Sequence, residues 1–316
     1  MSHLPRCPEG RRGAPGAQQG RRDVSRIESY SSLSTLAQCA EKYHLTYVEG
    51  WDPPGESLPM RAGTALDVAL NTLYVRGWNL EAALEALRAS WGPTSPTLAV
   101  KHEWITLLFL EERLRMYVAE REARPTILEE GEIISEFSGK LHTFEWSDAE
   151  GNLVRVRGAP DFAVRSNGKI YVPDVKCTTQ WLSDHWMLQF RIGNQLRIYA
   201  ALLQNLAGLE VAGGLINALY IGEKALDPPE AWKKRKSVPS KLEPIDFTQE
   251  QISEAHAWVR GLEAQRDAHA AHGTWPRNEK ACDAYGGCPF LTVCSAPSKM
   301  SRSARLLSNF KRRKDA

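Results

Sequence analysis

Apolar residues along the chain first recur at helical spacing. Leu33, Leu36, Ala37, Ala40, Tyr43 and Tyr47 mark one face of a helix over 31–47, with Ser31 or Ser32 as its cap. The Pro/Gly-rich "WDPPGESLP" interrupts that pattern. Helices are predicted over 63–76 and 79–90, parted by Gly77, and over 98–123, ending before Pro125. The period then shortens. "GEIISEF", "LHTFEWS", "LVRVRG", "DFAVR" and "KIYVPDVK" are short and β-branched or alternating, with "DAEGN" and "SNGK" as turns; they predict a mostly antiparallel sheet over 131–177. A long helix is expected over 180–206, its apolar face formed by Leu188, Ile192, Leu196, Tyr199, Leu203 and Leu206. "GGLINALYIG" reads as a further strand, 223–244 as a Pro-rich insertion and 248–271 as a last helix. This order gives an α/β (α+β) class: a central mixed sheet flanked by helices, with a helical N-terminal part.

Composition changes that picture little. The 316 residues allow one large domain or two small ones, and a net charge of +2 names no partner. The distribution of charge says more. Arg6, Arg11, Arg12, Arg21, Arg22 and Arg26 lie among Gly, Pro and Gln in an arm without apolar periodicity, which is expected to be disordered. From Lys299 to Lys314 there are seven basic residues and no acid, and "KKRK" occupies 233–236. Either end could touch a polyanion or be a solvated tail. No apolar run approaches the roughly 18 residues of a membrane span. No secretory h-region is present, so six cysteines argue for metal binding or inert burial rather than a disulfide framework, and for a cytoplasmic setting.

The candidate chemistry sits at strand ends. Asp174 and Lys176 in "VPDVKC" share one face of a strand, and Asp161 in "GAPDF" lies thirteen residues earlier, across the "SNGK" turn. The hairpin brings both acids to the same end of the sheet. Two converging carboxylates repel unless a cation joins them, and hard oxygen ligands select Mg²⁺ or Mn²⁺. Lys176 then stands where it can hold a water or a scissile phosphate. The bland alternative is a surface ion pair.

G-x-x-D (Gly158, Asp161), D-x-K (Asp174, Lys176) and Q-x-x-x-Y (Gln195, Tyr199), in that order, resemble the RecB-like branch of the PD-(D/E)XK nucleases. "SSLSTLAQCAEKYHL" is similar to that family's N-terminal motif, with Ala37 and Ala40 as departures. The resemblance covers about 30–296. It implies a restriction-endonuclease-like core in which Asp161, Asp174 and the Val175 carbonyl hold the metal. It makes Lys176 the catalytic lysine, with Gln195 and Tyr199 positioning the DNA strand. Asp67, in "GTALD", stands where the family usually has a histidine ligand. It either ligates the metal or is a solvated helix residue, and Glu132 is a weaker candidate for the same site.

Cys282, Cys288 and Cys294 lie in a Gly/Pro-bent loop, and three thiolates lack a fourth ligand. The resemblance supplies Cys39 and implies a 4Fe–4S cluster, although the first gap is wider than the family's usual one; Zn²⁺ accepts the same four ligands. Cys177 faces away from Lys176 as packing, and Cys7 lies in the arm. The expected organisation is a disordered arm (1–27), a helical part (28–125), a nuclease core (126–275), a cysteine loop joined to Cys39 (276–298) and a basic tail (299–316). The expected function is a metal-dependent DNA exonuclease in recombination, repair or phage DNA processing, acting on single-stranded or duplex ends. A helicase, recombinase or CRISPR-adaptation protein would be its partner. The alternative is a non-catalytic DNA-end-binding or assembly protein of the same fold. No Walker A sequence is present, so the chain is not itself a helicase.

Overall fold

The computed structural model describes residues 27–53, 55, 57–93, 102–235, 237–283 and 287–313. The expected arm (save Ile27), Cys7 and Lys236 lie outside the described residues. A two-residue strand β1 (Glu28–Ser29) leads into α1 (Tyr30–Gln38), α2 (Ala40–Tyr43) and a π-helical turn (His44–Val48). The continuous helix expected over 31–47 is therefore broken. Cys39 is extended (φ −163°, ψ 112°), and the cap is Ser29, in a reciprocal capping box with Ser32. Strand β2 (Trp51–Asp52) precedes α3 (Leu58–Val75), α4 (Leu80–Trp91), α5 (Leu107–Ala123) and α6 (Ile127–Glu130). The start of α5 lies later than the predicted residue 98, because Thr106 is its N-cap and Thr106 Oγ1 accepts from Phe109 N–H at 3.1 Å.

The five segments predicted as strands are strands: β3 (Glu132–Ile134), β4 (His142–Ser147), β5 (Leu153–Gly158), β6 (Ala163–Ser166) and β7 (Lys169–Thr178). They divide between two sheets, where one was expected. β4 and β5 pair with β1 in the order β1-β5-β4. β8 (Val211–Tyr220) and β9 (Ser240–Asp246) complete the main sheet, ordered β3-β6-β7-β8-β9, with β7 and β8 parallel. Alternation within a strand says which face is buried but not which strand lies alongside, so the split was hidden. The β6–β7 hairpin turns through Asn167 (φ 51°) and Gly168 (φ 74°), the left-handed pair of a tight two-residue turn. The segment expected as an insertion holds one short helix, α9 (Pro229–Arg235), and then edge strand β9. Pro244 is tolerated there because an edge leaves one side of the ladder free.

The long helix expected over 180–206 is two helices, α7 (Asp184–Ile192) and α8 (Gln195–Ala207). Gly193 (φ −74°, ψ 148°) is extended between them. Helix α8 is largely buried, whereas α7 buries Met187 and leaves Leu188 and Ile192 49% and 74% exposed. Helix α10 (Gln249–His272) packs across α8 and α1. There Arg266 Nη1 donates to fully buried Glu28 (3.1 Å), which also accepts from Ser32 and Tyr43. The basic C-terminal segment folds back. After α11 (Leu291–Cys294), helix α12 (Lys299–Asn309) and β10 (Lys311–Arg312) follow, and β10 pairs with β2. Leu306 and Phe310 bury against Leu45, Trp51, Phe290 and Val293, while Arg302 and Arg313 pair with Glu41 and Asp52.

Candidate active site

The site is built on β7, the middle strand of the main sheet, whose residues 170–174 are buried and whose last four are half-buried. Asp174 and Lys176 project to the same face, where Asp174 Oδ2 and Lys176 Nζ are 2.8 Å apart. Helix α8 covers that face. Because Gly193 ends α7, Gln195 becomes the first residue of α8 and reaches the strand. Lys176 Nζ donates to Gln195 Oε1 (3.1 Å), and Gln195 Nε2 donates to Asp174 Oδ1 (3.4 Å). One turn on, Tyr199 is within electrostatic reach of Asp174, Asp161 and Lys176. Its ring lies over Gly158: a Cβ there would stand 3.1 Å from Tyr199 Cε1 and 3.0 Å from Leu202 Cδ1. The glycine of G-x-x-D is thus the clearance that lets α8 settle on the β5 end.

Asp161 arrives two residues before β6, and helix α3 brings Asp67 from the other side of the strand. Gly63 of α3 lies against Cys177: a Cβ at Gly63 would make an ordinary contact with Cys177 Cβ, at 3.7 Å. Burial, followed by repulsion from Asp161 and Asp174, pushes the Asp67 carboxyl up to about 7. Burial likewise raises Asp161, to about 6, with an Asn71 hydrogen bond opposing and Asp174 adding. Asp174 is raised by burial against the pull of Lys176. Burial would lower Lys176, but its ion pair with Asp174 outweighs that and raises it. Three carboxylates therefore face one ammonium in a low-dielectric recess, with negative charge in excess. A cleft of about 100 Å³ opens on Asp174 between Tyr30, Gln189, Phe190, Gly193, Gln195 and Ile216.

That donor set fits a hard divalent cation in kind: carboxylate oxygens, uncompensated charge and a neighbouring lysine. Among the described residues no group of three or more His, Cys, Asp or Glu is arranged to hold a metal ion as it stands; Asp174 is paired with Lys176. Val175 sits between Asp174 and Lys176 on β7. Glu132 does not join the site; it pairs with Arg165 across β3–β6.

The sequence model of the PD-(D/E)XK nuclease superfamily matches residues 28–295. The chain belongs to the PD-(D/E)XK nuclease superfamily. Two solved structures are similar in part. One, from Eubacterium rectale and described only provisionally as an exonuclease, is 11% identical, with a TM-score of 0.46 over 86% of this chain and 92% of that one. The other, SSO0001, is 14% identical, with a TM-score of 0.31 over 83% and 94%. Comparison with curated proteins finds no match.

In this PD-(D/E)XK chain the sequence reading missed Asn71. It lies four residues after Asp67 on α3, its amide within hydrogen-bonding reach of both Asp67 and Asp161, and its buried Oδ1 has no partner among the described residues. The signal was a polar residue one helical turn from Asp67, at the edge of an apolar stripe.

The four predicted cysteine ligands are free thiols and half-buried. The break at Cys39 faces the C-terminal loop. Glu41 N–H donates to Pro276 O (3.1 Å), Asn278 Nδ2 donates to Gln38 O (2.8 Å), and Cys288 N–H donates to Cys282 O (2.7 Å). Burial and then neighbouring thiols, Cys288 and Cys39 among them, raise Cys282. Burial raises Cys294, with Arg277 opposing and the other three thiols adding. Cys177, by contrast, is packed against α3, and burial pushes its thiol up to about 12.

Proposed function

We propose that this chain is a divalent-metal-dependent deoxyribonuclease, an exonuclease on DNA ends. The observation that carries this reading is the meeting of Asp67, Asp161 and Asp174 around Lys176, with Gln195 bridging acid and lysine. Asp67, Asp161, Asp174 and the Val175 carbonyl would hold Mg²⁺ or Mn²⁺, which when bound supplies Lewis acidity toward a phosphodiester. Lys176 donates its hydrogen bonds to a non-bridging phosphate oxygen or to the attacking water, offsetting the charge that develops. Gln195 fixes the Lys176 ammonium, and Tyr199 walls the strand path along α8. Cys39, Cys282, Cys288 and Cys294 would hold a 4Fe–4S cluster, with Zn²⁺ as the other occupant, stapling the N-terminal break to the C-terminal loop. The setting would be cytoplasmic, in DNA recombination, repair or phage DNA processing, beside a helicase, recombinase or CRISPR-adaptation protein that exposes the ends.

The test is end-labelled linear DNA with Mg²⁺ or Mn²⁺, beside a sample without divalent metal. Progressive shortening only with metal supports the reading; intact DNA under every metal overturns it. The second reading, an end-binding protein without catalysis, draws on Asp67, a carboxyl held near neutrality in place of the usual imidazole. Metal-independent binding of ends without cleavage would favour it.

A further inference from the structure

The strand carrying Asp174 and Lys176 runs out at Thr178 into a short turn. Gln180 N–H donates to Thr178 Oγ1 (2.9 Å), and Ser183 N–H donates to Trp181 O (2.8 Å). This turn presents the Trp181 indole, 41% exposed. One face is stacked on Tyr220, with ring centroids 4.7 Å apart and planes 9° from parallel. Trp232 meets Trp181 edge-on at 5.5 Å, is itself buried, and is fixed by its Nε1–H donating to Asp227 O at 2.9 Å. Tyr220 is the register partner of Thr178, so the stack is anchored to the two central strands. The Arg235 guanidinium lies 5.7 Å from both indole rings and pairs with Asp227; Glu223 is the other acid near Tyr220. Lys233 and Lys234 are exposed on α9 without an acidic partner among the described residues.

Trp181 is therefore held by Tyr220, Trp232 and Arg235 while 41% of it stays exposed, and a ring so held loses little freedom when a base stacks on its exposed part. Unpaired bases offer such faces; paired bases hide theirs in the duplex. Stacking aromatics beside unpaired lysines match the two needs of a single strand, base faces and phosphates.

We propose that Trp181, backed by Tyr220 and Trp232 and flanked by Lys233 and Lys234, is a base-stacking platform that grips unpaired DNA at the end of the catalytic strand. Trp181 is five residues beyond Lys176, so the two Cα atoms are at most about 18 Å apart. The proposal rests on the nuclease reading and sharpens its substrate to single-stranded ends.

The test measures binding apart from cleavage. The full chain, prepared anaerobically, is titrated into a fluorescent single-stranded oligonucleotide and into a blunt duplex without divalent metal, and anisotropy is read. Trp181→Ala should weaken single-strand binding roughly 5- to 100-fold and leave duplex binding unchanged. Trp181→Phe should retain most of the affinity. The double variant Lys233→Gln/Lys234→Gln should reduce the salt slope by about 1.4. Unchanged single-strand binding by Trp181→Ala, an equal loss on duplex, or no single-strand binding by the wild type overturns the platform. If Trp181→Ala does not fold, the lysine variant decides, and an unchanged salt slope overturns the proposal. Wild type that binds through Trp181 but never cleaves sinks the nuclease reading alone. Wild type that cleaves while Trp181→Ala binds normally sinks the platform alone.

Discussion

At the scale of single residues, the site is a problem of charge. Asp67 and Asp161 keep their protons up to about 7 and about 6, well above the 3.8 of a free aspartate. A carboxyl whose pKa is raised by folding stabilises the fold fully below its unfolded pKa, and that stabilisation is lost as pH rises through the folded value. Without divalent metal the protein should therefore lose stability from about pH 4 to about pH 7. Thermal melts should show this decline, and Asp67→Asn should flatten part of it. An identical decline in Asp67→Asn would mean that neither burial nor the other two acids raises the Asp67 carboxyl. Gly158 makes a second test. Gly158→Ala must displace Tyr199 or Leu202, so cleavage should fall several-fold while the fold persists by circular dichroism; unchanged cleavage would show that the Tyr199 position is not used. The D-x-K pair was legible because the strand period puts both residues on one face; Q-x-x-x-Y was legible from the family resemblance, with the helix period putting both residues on one face. Asn71 was not, since its role depends on Asp161 arriving from another element.

At the scale of elements, the sequence pattern located β3 to β8 but missed β9 and misjudged continuity. The single helix over 180–206 is two, because Gly193 takes an extended conformation that no hydrophobic period records. That break places Gln195 against Asp174 and opens the cleft. The helix over 31–47 is likewise broken at Cys39, which turns it toward the C-terminal loop. Strand β9 was hidden because its polar, Pro-containing sequence is that of an edge. The close β8–β9 approach gives a prediction. A Cβ at Gly213 would stand 2.3 Å from Ile245 O, so Gly213→Ala should part the edge strand and cost about 1–3 kcal/mol, read as a lower urea midpoint. An unchanged midpoint would mean that β9 is free to shift.

At the scale of the whole molecule, two distant joins close the chain. Glu28 and Arg266 form a buried pair linking β1 to α10, and removing one partner leaves a buried charge, at a cost of about 3–5 kcal/mol. The second join is the cysteine loop against Cys39, continued by Leu306, Phe310 and β10 on β2. The C-terminal basic run was readable as charge, but its fold-back was not, because the partners of Arg312 and Arg313, Glu49 O and Thr46 O, lie 263 and 267 residues earlier in sequence. If the four thiols hold a cluster, an anaerobic preparation should absorb near about 400 nm through thiolate-to-iron charge transfer. Cys39→Ser should bleach that band and lower the melting temperature. A colourless protein with one zinc per chain would replace iron by zinc; a metal-free wild type would remove the join.

The proposed cleavage rests on Lys176, the one cation among the three acids in the described residues. The most direct test is the single-turnover cleavage rate of end-labelled single-stranded DNA with Mn²⁺, wild type against Lys176→Ala, with Mn²⁺ binding measured on both by calorimetry. The account predicts retained Mn²⁺ binding and a rate lower by roughly 10²–10³-fold in Lys176→Ala. Equal rates in the two proteins would contradict it.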